Sequence, residues 1–243
     1  MNNRFPQNFE GPPAVCEGCD ARAVSVCSSI GDRELHRLAA IATVVDADPG
    51  FSFITEGDPA DHFYNLTRGT VRLVKLLPDG RRQITGFGYR GDFLGLAVSS
   101  SYAFSAEAIE PVRFCRFPRR SLRRLLDEYP ALEKRLLEVA SNELVAAQEQ
   151  MLLLGRKTAR ERVASFLLSL DAKTTCVHRG PAIILPMTRG DMADYLGLTI
   201  ETVSRTVARL KKEELISVPR SDTIVLLDRE GLEDLAAGNG EGS

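Results

Sequence analysis

No run of this 243-residue chain approaches the 18 or more consecutive apolar residues of a membrane-spanning helix. Its first residues, MNNRFPQNFEGPPAVC, also lack the apolar stretch of a secretory signal, so a cytosolic protein is expected. Net charge is nearly missing as well: 31 Lys and Arg against 33 Asp and Glu leave -2. That balance excludes a chain held to nucleic acid by bulk positive charge, so any such site must be small and placed. Histidine is scarce, and His36, His62 and His178 are scattered without ligand spacing. No Ser-His-Asp arrangement, Walker loop or paired-carboxylate motif stands out, so the chain does not read as an enzyme. With 44% hydrophobic and 26% charged residues the composition is that of a globular protein. The length suggests two domains with a linker between them.

Residues 46–117 show short alternating apolar segments punctuated by Gly50, Gly57, Gly69, Gly80, Gly91 and Gly95, roughly every ten residues, as in an all-β sandwich, barrel or roll. The clearest hairpin runs through Val71, Leu73, Lys75 and Leu77, turns at Asp79-Gly80 and returns through Gln83, Thr85 and Phe87. From residue 131 to 154 no Pro or Gly interrupts a pattern rich in Leu, Ala, Glu and Gln, which predicts a helix about 36 Å long. Leu137, Ala140, Leu144, Ala147, Met151 and Leu154 alternate at three- and four-residue steps, the heptad seam of two helices packed side by side. The stripe could instead cover the β domain of its own chain. Its small residues and lack of charge favour the same helix of a second subunit, hence a homodimer.

A break is expected at residues 155–157. Thr158 and Glu161 then form a capping box for a helix through Leu170. Further on, Thr188 and Asp191 cap a short helix carrying Met192, Ala193, Tyr195 and Leu196. It stops at Gly197-Leu198-Thr199, and a second helix runs to about Lys211, which is helix-turn-helix spacing. Thr199 would cap that second helix, with Val203, Val207 and Leu210 facing the core. Glu201, Ser204, Arg205 and Arg209 are left on the other face. Arg205 can donate two bonds to guanine, Glu201 can accept from cytosine and Ser204 can touch an adjacent thymine. Glu201 and Arg205, four apart, are also expected to orient one another. Arg209, Lys211 and Lys212 suit phosphates beside the groove. Two short strands at residues 215–218 and 223–227 complete a winged helix-turn-helix that binds double-stranded DNA.

Cys16, Cys19 and Cys27 read C-x2-C-x7-C, and Cys115 lies on the last apolar strand before Pro118. In a reducing compartment these are not expected to be disulfides. Four thiolates suit tetrahedral zinc or a [4Fe-4S] cluster. Zinc sites more often use a second C-x2-C, so the spacing leans toward iron and sulfur and leaves zinc open. Cys176, in a polar stretch between domains, reads as a bystander thiol.

A glycine-punctuated β-roll, a long helix and a winged helix-turn-helix, in that order, resemble the cyclic-AMP receptor protein superfamily over residues 30–230. Within it, YLGLTIETVSR (residues 195–205) and QITGFGYRGDFLG (residues 83–95) resemble the FNR (fumarate and nitrate reduction regulator) branch. The resemblance implies an α+β chain: a cysteine-rich arm (residues 1–29), a β-roll sensor domain (30–129), a dimerisation helix (130–156) and a winged helix-turn-helix (157–243). It also implies that Cys16, Cys19, Cys27 and Cys115 hold an oxygen-sensitive [4Fe-4S] cluster, the seven-residue gap being similar to α-proteobacterial members. Glu201, Ser204 and Arg205, beside Thr199 and Arg209, would read a TTGAT-like palindrome. RNA polymerase is the further partner implied, with residues 81–85 and 173–181 as candidate faces. Nucleotide-binding relatives place an Arg-Ser pair after a Gly-Glu-x-x-Gly-like turn. Here Gly91, Asp92 and Gly95 keep the turn but SSSYAFSAEAIE offers no arginine, so no cyclic nucleotide is expected. The competing expectations are a winged-helix regulator with a structural zinc and another effector, or a thiol-switch or cyclic-nucleotide-type subunit that binds no DNA.

Overall fold

The computed structural model describes residues 13–96, 100–175 and 182–239. They fall into two compact units, one within Met1–Lys75 and Thr85–Leu144, the other within Leu76–Ile84 and Val145–Ser243. Among the described residues no helix is long and apolar enough to cross a membrane. Cys176, His178 and most of the 173–181 surface lie outside the described residues.

The first unit opens with 3-10 turns at Ala14–Cys16 and Val26–Ser29, followed by α1 (Asp32–Ala40). Eight strands follow: β1 (Thr43–Ala47), β2 (Ser52–Ile54), β3 (His62–Arg68), β4 (Val71–Leu76), β5 (Arg82–Gly88), β6 (Phe93–Leu94), β7 (Ser105–Ala108) and β8 (Val112–Pro118). They form two four-stranded sheets, ordered β1-β8-β3-β6 and β2-β7-β4-β5. All six glycines that punctuate the sequence adopt positive φ, which is why the strands are short and turn where they do. Then α2 (Arg119–Glu128) leads into α3 (Pro130–Arg156).

Period-two alternation divides the two faces of the first sheet. Tyr64, Leu66, Val112 and Phe114 pack into one core with Ile54, Val71 and Ala106. Phe63 and Phe117 point the other way, into a second cluster with Val26, Leu38, Phe93, Leu122, Leu125, Leu132 and Leu136. That cluster joins the N-terminal arm, the outer face of the sheet and the first turns of α3. Val26 and Leu132 are each 2% exposed, and burial of each contributes about 1.5–3 kcal/mol.

The long helix runs past residues 131–154, the stretch free of Pro and Gly, and fills residues 130–156. Gly155 is helical and the break falls at Lys157 and Thr158, because one glycine in a last turn costs only about 1 kcal/mol. Leu137, Leu144 and Met151 are 67%, 61% and 68% exposed and Ala140 and Ala147 are exposed too, so this stripe does not cover the chain's own roll. Leu154 departs from the seam: it is half-buried, with its Cδ2 beside Gly197 in the second unit.

In the second unit α4 (Ala159–Thr175) starts at the expected capping box, Glu161 accepting from Thr158 N at 3.1 Å. It continues past Leu170 because nothing in residues 171–175 breaks a helix. The remaining elements are β9 (Ala182–Ile184), α5 (Arg189–Leu196), α6 (Ile200–Lys212), β10 (Ile216–Arg220), β11 (Thr223–Leu226) and α7 (Arg229–Ala237). The wing has a third strand, in the order β10-β11-β9.

The turn at Gly91 fixes how the arm meets the roll. Gly91 has φ 99°, and a Cβ there would come within 2.8 Å of Val24 Cγ2. Its N–H donates to Leu66 O at 2.7 Å. The turn that the sequence aligns with a nucleotide loop is a seat for the arm in this chain. Replacing Gly91 by Ala should therefore destabilise the first unit by about 1–3 kcal/mol. Urea unfolding measures this, and an unchanged midpoint would show that the arm does not depend on the turn.

Candidate metal centre and DNA-reading helix

The structure brings all four sequence-predicted cysteines to one place. Cys16, Cys19, Cys27 and Cys115 line a single cavity of about 470 Å³, together with Asn65, Thr67, Arg22, Arg68 and Arg113. Cys115 sits on β8, between β1 and β3, paired with Val44 on one side and Asn65 on the other. Cys27 is held by the turn that carries buried Val26. Ser25 caps that turn, its Oγ accepting from Cys27 N at 3.3 Å, and both Cys27 and Cys115 pack against the second apolar cluster.

None of the four is in a disulfide. Burial pushes the Cys115 thiol up to about 12, with the charges of Cys27, Cys19 and Cys16 adding to it. Burial likewise raises Cys16 to about 11 and also raises Cys27. Thiols held in the neutral form in this way are poor nucleophiles. Two of the cations at the rim are already paired, Arg22 with Asp32 at 2.6 Å and Arg113 with Asp46 at 2.7 Å. Among the described residues no three His, Cys, Asp or Glu side chains are grouped as a single metal ion requires. Burial lowers the pKa of His62, which begins β3, and His36 lies on α1.

In the second unit the helix-turn-helix forms as its local signals dictate. Thr188 and Asp191 make a reciprocal capping box before α5. Gly197 takes the left-handed conformation at φ 62° that ends it. Thr199 then caps α6 by accepting from Thr202 N at 3.2 Å. Val203, Val207 and Leu210 are buried with Thr206, leaving Glu201, Ser204, Arg205 and Arg209 exposed.

One contact expected from the sequence does not form. Glu201 and Arg205 make no ion pair among the described residues. The Glu201 carboxyl is held low first by its own backbone N–H and the Thr199 hydroxyl, with Arg205 contributing least. Thr199 spends its hydroxyl on the cap, and Arg209 is tied to Glu213 at 2.9 Å. Sequence reasoning missed Arg162 altogether. Its guanidinium donates to Leu154 O at 3.0 Å, Lys157 O at 2.9 Å and Leu196 O at 2.8 Å. One cation thus satisfies carbonyls at the ends of both α3 and α5. No spacing rule could signal those partners, which lie up to 34 residues away.

Family models match a stretch of each unit. A family model described as a Crp-like helix-turn-helix domain matches residues 161–235, and one described as a cyclic nucleotide-binding domain matches residues 45–129. The chain is 43% identical over 223 residues to the nitrogen fixation regulation protein FixK of Bradyrhizobium diazoefficiens, spanning 91% of this chain and 94% of that one. It is 41% identical over 233 residues to the transcriptional activatory protein AadR of Rhodopseudomonas palustris, spanning 93% and 97%. The solved structure of FixK2 from Bradyrhizobium japonicum superposes with a TM-score of 0.76 and 38% identity, covering 80% of this chain and 97% of the other. These relatives are regulators rather than enzymes, and the chain belongs to the CRP/FNR family of transcription regulators, in its α-proteobacterial FNR-like branch.

Proposed function

We propose that this regulator is an oxygen-responsive homodimer whose four cysteines hold a [4Fe-4S] cluster and which binds a TTGAT-like palindromic promoter when oxygen is low. The observation that carries the reading is the gathering of Cys16, Cys19, Cys27 and Cys115 around one cavity of about 470 Å³. A zinc ion draws four thiolates to about 2.3 Å from one point. The C-x2-C-x7-C spacing, without a second C-x2-C, is what favours an iron-sulfur core over that closure. When bound, an iron-sulfur core supplies oxygen-sensitive redox chemistry on soft sulfur ligands.

The rest of the proposal concerns the chain. Three of the four ligands belong to the arm and one to β8, so coordination pins the arm on the outer face of the roll. Pinned there, Val26, Cys27 and Ile30 complete the apolar cluster to which Leu132, Leu136 and Val139 of α3 belong. A settled first half of α3 presents Leu137, Ala140, Leu144, Ala147 and Met151 to a second subunit. Release of the cysteines leaves those arm contacts to hold alone, and the bias toward pairing falls by the differential binding energy lost. The dimer sets two α6 helices about one DNA turn apart. Glu201, Ser204 and Arg205 then read bases, while Lys211 and Lys212 meet phosphates and Arg209, paired to Glu213, contributes less. The missing arginine in residues 99–110 remains the ground for proposing no cyclic nucleotide.

Two outcomes are expected. Protein purified without oxygen should be brown, with iron and acid-labile sulfide, and Cys115→Ser should lose both; a colourless protein with one zinc per chain would overturn the reading. Replacing Arg205 by Ala should cost about 1–3 kcal/mol per half-site and relax discrimination at one guanine, as measured by titrating operator variants. Equal weakening on every sequence would make Arg205 a phosphate contact instead.

A further inference from the structure

One polar group beside the cysteines lacks a partner. Asn65 lies in the middle of β3 and is 2% exposed, yet its Oδ1 is enclosed and accepts no hydrogen bond. A buried amide oxygen left in that state keeps the cost of losing water without a bond to offset it. The neighbouring positions on the same face are satisfied: Phe63 packs in the apolar cluster, and the buried Thr67 hydroxyl donates to Arg113 O at 2.9 Å. The fold keeps an amide there and leaves its oxygen unbonded.

Its position says what the amide serves. Asn65 is the cross-strand partner of Cys115 in the β3-β8 register, and both side chains line the cavity that Cys16, Cys19 and Cys27 share. Paired residues on one face of antiparallel strands hold their Cβ atoms about 4.5–5.5 Å apart. Four sulfurs carrying negative charge need donors, and two rim guanidiniums already serve Asp32 and Asp46. A carboxamide offers two N–H donors, and a turn about its last torsion exchanges its oxygen for its nitrogen.

Resting on the iron-sulfur reading above, we infer that Asn65 is a positioning residue that donates an N–H···S hydrogen bond to the sulfurs of the centre held by Cys115, and thereby sets how readily that centre is oxidised. A donor to sulfur favours the more electron-rich state, so its removal makes oxidation easier. The amide has no comparable task in the iron-free chain. Asn65 therefore acts with opposite sign in the two forms, costing stability without the cluster and protecting it when present.

The test compares wild type, Asn65→Leu, which keeps the branched shape and loses the donor, and Asn65→Ser, which keeps an O–H donor. Each is reconstituted anaerobically with iron and sulfide and then exposed to air, with loss followed by visible absorbance. Asn65→Leu should lose its cluster about tenfold faster, the factor one hydrogen bond to a charged group is worth, and Asn65→Ser should fall between. The one-electron midpoint of Asn65→Leu should drop, a tenfold change in that equilibrium being about 59 mV. Iron-free Asn65→Leu should unfold at the same urea concentration as wild type or a higher one. Equal decay rates and midpoints in all three proteins overturn the inference. So does an iron-free Asn65→Leu that is destabilised or fails to fold, because the amide then serves the core. Wild type that takes up no iron and sulfide ends the cluster reading itself, an outcome distinct from either.

Discussion

The structure of the first unit depends on one apolar contact set, the cluster in which Val26 of the arm meets Phe63, Phe93 and Phe117 of the sheet and Leu132 and Leu136 of α3. Without it the arm has no fixed place, and three cysteines would wander relative to the fourth. With it, Cys27 and Cys115 are packed against the same side chains that anchor the first turns of the long helix. The cysteine site and the start of the long helix thus share one packed cluster, so the proposed coupling between them requires no long communication path. The marginal stability of proteins makes that arrangement useful, since a change of about 1–3 kcal/mol in the arm's attachment is enough to move an equilibrium.

The DNA-reading end is built on other principles. Its helices are set by caps, Thr188 with Asp191 and Thr199 alone, and by the left-handed Gly197. Its surface charge is local: a net charge of -2 for the chain coexists with Arg205, Lys211 and Lys212 on or just beyond one helix face. Arg162 holds the ends of α3 and α5 through backbone carbonyls, just before the turn that leads into α6.

Much of this was legible in the sequence wherever the controlling interaction is local. Glycine spacing marked turns because each needed positive φ, and Thr158, Thr188 and Thr199 marked helix starts because a cap reaches only two or three residues. The α1, α2, β9 and α7 elements passed unnoticed; they are short and gain their order from packing rather than from pattern. The cysteine spacing and the resemblance named four candidate ligands, but where Cys115 meets the other three depends on strand register. Asn65 was invisible for the same reason, since its meaning comes from lying opposite Cys115, 50 positions on. Gly91 was read as the remnant of a nucleotide turn because nothing in its neighbours reveals Val24 above it. Leu154 continued the heptad on paper and turned inward against Gly197 in the fold.

The claim at the centre of this account is that holding the four cysteines together favours two chains over one on DNA. Sedimentation in the presence of a palindromic operator, performed on one anaerobic sample before and after exposure to air, tests it most directly. The account predicts a dimer on the operator while iron and sulfide remain bound, and monomers with weakened operator binding once they are lost. A dimer that stays on the operator with equal affinity after complete loss of iron would contradict it.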